Sequence, residues 1–281
     1  MSDYMITVET NSLKWLLSLA QRKHTIDGKA HAQLYSVILK ASAGRLSLCS
    51  LVKDGVTSLM RLSIPCTGEG EVVITDIDNT LGVLKYHGGV LNITPSHDKV
   101  KFKSSNKQTT LNANKGAKAF PHTPETIEQW SKKSEELASK ISADDLIYIT
   151  NNGEKLSCKW VFHDLNTTSL YEAVRCDSMN GQKYNQYTFS YDADNKNILS
   201  IDVGRELKGK TITELGISLD NMLSFKASYN GGLEHIFSNL NHDVTIGMWD
   251  FTHVNGGYPM LITLGEGDFI FQMSNQTLGV K

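Results

Sequence analysis

The stretch EVVITDIDNTLGVLKYHGGVLNI, residues 71–93, decides the architecture of this chain. Taken alone, its β-branched run followed by Asp76-x-Asp78-x-Thr80 reads as a strand that ends in a pair of reactive carboxylates. Set beside SFKASYNGGLEHIFSNLNHDVTIGM, residues 224–248, it reads differently: a strand, a polar corner, a short helix and a second strand, with Leu81 and Leu84 answering Leu233 and Ile236. On that reading Asp76 and Asp78 stand at a helix N-terminus. Carboxylates there satisfy free amides and complement the helix dipole, and Thr80 falls in the first turn.

The rest of the two halves can be laid side by side in the same way. SCKWVFHDLNTTSLYEAVRC answers MITVETNSLKWLLSLA, each a strand followed by a polar corner and a helix. In SLKWLLSLAQRK, Leu13, Leu16, Leu17 and Ala20 recur at helical spacing, with Asn11 or Ser12 available as the cap. YTFSYDADNKNILSIDVG answers YSVILKASAGRLSLCSLV, KTITELGISL answers TSLMRLSI, and YPMLITLGEGDFIFQMSN answers HDKVKFKSSNKQTTLNA. Each half is therefore a β-α-β-β-β pattern used twice, and an internal repeat decides architecture more firmly than a single motif does. The expectation is an α+β chain: an N-terminal domain over residues 1–116, a connector over 117–155 and a C-terminal domain over 156–281. In the connector, Thr123 can cap a charged helix with Pro124 at its first position, and Ile127, Trp130, Leu137 and Ile141 form its apolar stripe.

Composition narrows the classes. A chain of 281 residues can bury a sizeable core in two domains. Cys49, Cys66, Cys158 and Cys176 are far apart, with no Cys-x-x-Cys pair and no histidine at ligand spacing, which argues against a disulfide framework or structural zinc and for a reducing compartment. MSDYMITVET lacks the basic and apolar regions of a signal peptide, and no apolar run approaches membrane-spanning length. A soluble, cytoplasmic or nucleoid-associated protein without membrane contact is expected. The formal net charge of −2 excludes nucleic-acid binding through bulk basicity but leaves room for a local basic surface.

Two β-rich halves, each with two short helices, joined by a long connector, resemble the DNA sliding clamps of the PCNA and phage type. The resemblance spans nearly the whole chain. Its most telling pieces are ITVETNSLKWLLSLA, the hairpin KASAGRLSLCSLV, and YNGGLEHIFSNLNHDVTIGM followed by YPMLITLGEGDFIFQMSN. It implies a DNA-clamp-like fold, no cofactor, no metal and no chemistry of its own. The implied assembly is a homotrimeric ring that encircles double-stranded DNA without regard to sequence, with DNA polymerase and a clamp loader as partners. It further implies that helices line the hole, which makes Lys14, Arg22, Lys23, Lys85, Arg175 and Lys183 the candidate phosphate contacts. Long, flexible cations suit a protein that must slide. The fourth helix departs from this pattern, offering His235 and Asn239. A pocket for partner peptides maps by position to Leu46, Leu48, Pro259, Gln272 and Ser274.

Two other classes compete. Asp76-x-Asp78-x-Thr80 also resembles the nucleophile motif of haloacid-dehalogenase-type phosphotransferases, in which the first aspartate is phosphorylated and the second is general acid and base. LIYITNNG resembles their second motif. That fold needs a parallel sheet with intervening helices, and residues 83–112 offer polar strands instead. A structural or adaptor protein would share the repeat without any convergence of helix cations on one surface.

Overall fold

The computed structural model describes residues 4–21, 36–52, 58–96, 99–112, 124–175, 186–193, 198–205, 209–215, 223–230, 233–254 and 257–274. The chain divides into two compact units, Met1–Val52 with Leu59–Ser139 and Lys53–Ser58 with Lys140–Lys281.

The first unit opens with β1 (Ile6–Glu9) and α1 (Thr10–Ala20), followed by β2 (Val37–Ser42), β3 (Arg45–Val52), β4 (Ser58–Thr67) and β5 (Gly70–Ile74). α2 (Ile77–Leu84), β6 (Val90–Ser96), β7 (Lys99–Lys103) and β8 (Gln108–Asn112) complete the repeat, and α3 (Pro124–Ala138) follows. One run of strands is ordered β4-β1-β6-β7-β8; β2 pairs with β3 and β5, and β3 pairs with β4. Alternation sets the inner faces. Ile6 and Val8, Leu91 and Ile93, and Val100 and Phe102 are all buried, while the residues between them face outward.

α3 packs on β2 and β3 of this unit. Its buried face is not the expected Trp130, Leu137 and Ile141 stripe but Ser131, Ser134 and Ala138. Small side chains allow the helix to lie close to the strands, and Ser134 Oγ donates to the Trp130 carbonyl at 2.7 Å, so its hydroxyl is satisfied inside. Lys40 of β2 joins Glu135 at 2.6 Å across that contact. Burial under the helix pushes the Cys49 thiol up to about 12. Ile141 lies beyond the helix, in a strand; the Thr123 cap lies outside the described residues.

The second unit begins with a three-stranded sheet of β9 (Ile141–Ser142), β10 (Ile147–Ile149) and β11 (Lys155–Ser157). The repeat then returns as β12 (Trp160–Leu165), α4 (Thr167–Arg175), β13 (Gln186–Tyr191), β14 (Leu199–Arg205), β15 (Gly209–Glu214), β16 (Phe225–Asn230), α5 (Leu233–Ser238), β17 (Val244–Met248), β18 (Met260–Gly265) and β19 (Asp268–Gln272). Its sheets are ordered β12-β17-β18-β19 and β15-β14-β13-β16. The pairings reproduce those of the first unit. β12 meets β17 as β1 meets β6, β13 meets β14 and β16 as β2 meets β3 and β5, and the closing hairpins correspond.

Residues 117–155, expected as one connector, divide between the units: α3 belongs to the first, and β9 to β11 belong to the second.

Candidate nucleic-acid interface

Each unit presents a pair of helices seated by the same device. In the first unit, Thr10 at the start of α1 gives both its amide, at 2.9 Å, and its hydroxyl, at 2.7 Å, to the carbonyl of Gly89, beyond the end of α2. In the second, the hydroxyl of Thr167 at the start of α4 donates at 3.4 Å to the carbonyl of Leu240, beyond α5. Asn166 reinforces that joint through Asp243 Oδ1 at 3.2 Å, and its own side chain caps α4 through the Ser169 amide.

α1 is capped by Glu9 and not by Asn11 or Ser12. Its carboxylate accepts from both of their amides, at 2.5 and 2.9 Å, because the strand ends one residue earlier than the cap chemistry of the sequence suggests. Asp76 caps α2 through the Asn79 amide at 2.8 Å, while Thr80 donates its amide and hydroxyl to the Asp76 carbonyl. Asp78 accepts from Gln21 Nε2 at 2.6 Å, and at the other end of the pair Lys14 Nζ reaches the His87 carbonyl at 3.4 Å. α1 and α2 therefore run antiparallel.

These contacts give Asp76 and Asp78 structural roles. Every registered strand pairing among the described residues is antiparallel, so the parallel sheet that a phosphotransferase of this type needs is missing from the described part. No group of histidine, cysteine and carboxylate side chains among the described residues could hold a metal ion.

The cations expected on the helices are unevenly placed. Lys14 is half-buried; Lys85 is exposed at the C-terminus of α2, where its charge complements the helix dipole. The two sit at the same end of their helix pair. Arg175 closes α4, with Nη1 3.1 Å from Glu172 and its guanidinium 5.8 Å above the Tyr171 ring. Arg22, Lys23 and Lys183 lie outside the described residues, as does Cys176. On and just after α5, the His235 carbonyl accepts from Asn239 Nδ2 at 2.7 Å.

Sequence reasoning missed the residues that fasten the end of α2. His87 is buried, with Nδ1 2.9 Å from Ser104 Oγ and Nε2 3.0 Å from Thr109 Oγ1. Burial, then the nearby Lys107 and Lys14 ammoniums, hold its imidazole below the ordinary histidine range. Beside it Tyr86 stands 71% exposed. A lone histidine and tyrosine after a helix carry no periodic signal.

The doubled unit has many counterparts among solved structures. The fold is that of a DNA sliding clamp. A DNA polymerase sliding clamp from Caulobacter crescentus matches 98% of this chain and 66% of its own, with TM-score 0.62 and 15% identity. The sliding clamp from Bacillus subtilis matches over 98% and 65%, at 0.60 and 16%, and the DNA polymerase III beta subunit from Thermotoga maritima over 99% and 66%, at 0.60 and 13%. The chain spans about two thirds of the length of these clamps. No protein-family model matches it, and no curated protein sequence does. No helix among the described residues is long and apolar enough to cross a membrane.

Within the clamp fold, the expected peptide-pocket residues do not all face outward. Leu46 and Leu48 are fully buried, since β3 alternates and turns both inward opposite Ala41 and Leu39. Pro259 and Gln272 are also buried, while Ser274 is half-buried, its hydroxyl accepting from the Tyr258 amide at 2.9 Å. The leucines belong to the first unit and the other three residues to the second.

Proposed function

We propose that this chain is a sliding clamp, a processivity factor that holds DNA polymerase on duplex DNA by topological linkage and performs no chemistry itself. The observation that carries this reading is the clamp fold over 98% of the chain, built from two copies of one unit. The solved clamps it resembles are about half as long again, the length of a third such unit. A two-unit chain reaches a six-unit ring with three copies, so the assembly is a homotrimer.

Two features support closure into a ring. Among the described residues, β8 pairs with β7 alone and β15 with β14 alone, leaving one open edge in each unit. Open edges invite pairing, and a closed ring hides them. On β15 the apolar Ile212 is 56% exposed, as suits a strand covered in the assembly.

The helix cations Lys14, Lys85 and Arg175, with Arg22, Lys23 and Lys183, serve as exchangeable contacts to phosphate in sequence-independent binding. The Arg175–Glu172 pair is exposed and contributes little, so Arg175 can exchange carboxylate for phosphate. Partner peptides dock on the second unit around Pro259, Gln272 and Ser274; Leu46 and Leu48 support the first unit from within. A clamp loader opens the ring, and the protein works inside the cell beside DNA.

Light scattering at micromolar concentration tests the assembly: three times the chain mass is expected, and a strict monomer overturns the ring. Product length on primed circular DNA, with the cognate polymerase and loader, tests the function. Longer products are expected; no change sinks the assignment.

A further inference from the structure

The chain is nearly neutral, but one part of it is not. From Lys85 to Asn112 the sequence holds five lysines and a single carboxylate, Asp98. β7 buries Val100 and Phe102, so Lys99, Lys101 and Lys103 stand together on the opposite, solvent-facing side of the sheet. Successive lysines there are about 6.8 Å apart along the strand.

Strand register supplies the neighbours. Lys99 lies between Ser96 and Asn112, Lys101 between Thr94 and Thr110, and Lys103 between Asn92 and Gln108. Each ammonium is flanked on both sides by a hydroxyl or an amide, and β6, β7 and β8 contain no carboxylate. The acid nearest this face by register is Glu9, opposite Val90 on the far side of β6. Its carboxylate already accepts the Asn11 and Ser12 amides.

The turn of the β7–β8 hairpin carries Lys107, and the hairpin is fastened to the end of α2 through the His87 contacts with Ser104 and Thr109. That joint brings the lysines of the sheet beside Lys85 and the exposed ring of Tyr86, with Lys14 reaching the His87 carbonyl. The depressed imidazole of His87 reports Lys107 and Lys14 together. The lysines therefore form one band, running from the helix ends past the hairpin turn and along the outer face of the sheet.

We infer that this band binds the backbone of single-stranded nucleic acid, with Tyr86 as the platform on which a base stacks. Lysine, serine, threonine, asparagine and glutamine are the side chains that contact phosphate and sugar. A cationic track with an aromatic face is how single strands are held without sequence preference. An acidic peptide would need apolar anchors, and the face offers none between its lysines. A duplex keeps its bases stacked and leaves Tyr86 without a partner. The inference adds a surface to the proposed clamp and shares only Lys14 and Lys85 with the duplex contacts.

Fluorescence anisotropy of labelled oligo(dT) with the full chain, over a series of salt concentrations, tests it. Combined Lys99→Gln, Lys101→Gln and Lys103→Gln should weaken binding at least tenfold at low salt and reduce the slope of log affinity against log salt by about 2. Tyr86→Ala should cost roughly tenfold, and Tyr86→Phe should restore wild-type binding. All three positions are outward-facing strand residues, so thermal unfolding of the triple variant should match the wild type. A wild type that does not bind oligo(dT), a triple variant with unchanged affinity and slope, or poly-glutamate bound as tightly as oligo(dT) each overturns the inference. Retention on closed duplex circles separates this from the clamp reading. Its loss in the wild type sinks the clamp alone, while its persistence beside failed oligo(dT) binding sinks the band alone.

Discussion

The two units share a chain path but not a core. The first is filled almost wholly by aliphatic side chains, Leu13, Leu16, Leu39, Leu48 and Leu62 among them, with Phe102 as its large buried ring. The second is aromatic: Trp160, Phe162, Tyr191, Phe225 and Tyr258 meet ring to ring at centroid distances of 5.0 to 6.4 Å, and Phe189 stands edge-on to Tyr229 at 5.5 Å. The difference shows what the topology demands: apolar volume at the right period, with the choice of side chains left open. It also explains why the halves look so little alike in sequence. A second contrast is length. β4 spans ten residues and reaches both β3 and β1, whereas β15 spans six and pairs with β14 alone among the described residues.

The contrast in cores gives the largest expected effect. Trp160→Ala removes a buried indole and its hydrogen bond to the Leu223 carbonyl at 2.7 Å, and should cost the second unit about 3–5 kcal/mol. Leu48→Ala should cost the first unit about 2–5 kcal/mol. Denaturant unfolding followed by unit-specific proteolysis reads the two separately, and equal damage to both units from either change would erase the distinction.

Next come two glycines that hold strands close. Gly68 has φ +90°, and a Cβ there would lie 2.1 Å from the Met5 carbonyl oxygen, so Gly68→Ala should destabilise by more than 2 kcal/mol, roughly. At Gly247 the added Cβ meets the Cys158 sulfur at 2.6 Å, a side chain that can shift, and Gly247→Ala should cost less. Comparing the melting temperatures of the two variants checks the order.

The threonine joints sharpen the comparison further. Thr10→Val loses a 2.7 Å bond but leaves the Gly89 carbonyl its amide partner, so about 1 kcal/mol is expected; Thr167→Val, losing a 3.4 Å bond, should cost less. Double-mutant combinations should be additive, since the joints lie in different units.

The smallest effect is one of pH. His87 titrates below its unfolded value of 6.5, so the unfolded chain takes up the proton first. Stability of the first unit is fully present above that pH and should decline as the pH falls below it. His87→Gln should flatten the dependence, which urea midpoints between pH 5 and 8 would reveal.

Much of this was legible in the sequence because it is local or periodic. The order of strands and helices follows from alternation and helical spacing, and Asp76 as a cap follows from its place before Ile77 and Leu84. What stayed hidden depends on contacts distant in sequence. α3 turns serines and an alanine inward because it lies on β2 and β3, which a stripe of larger side chains does not foretell. Glu9 displaces better cap formers because the strand geometry ahead of it aims its carboxylate at the helix. Leu46 and Leu48 matched a pocket by position, yet the alternation of their own strand buries them. The lysines of β7 were visible, but their setting between neutral strands and beside His87 needed the register.

That register has a consequence during synthesis. Ile6 finds its partner in Ile93, and Trp160 finds its own in Met248. The opening strand of each unit therefore leaves the ribosome on the order of ten seconds before the strand that seats it. Until then α1 and α4 carry their apolar faces unshielded. Each unit must close almost complete or not at all, and its first strand is the last to be locked in place.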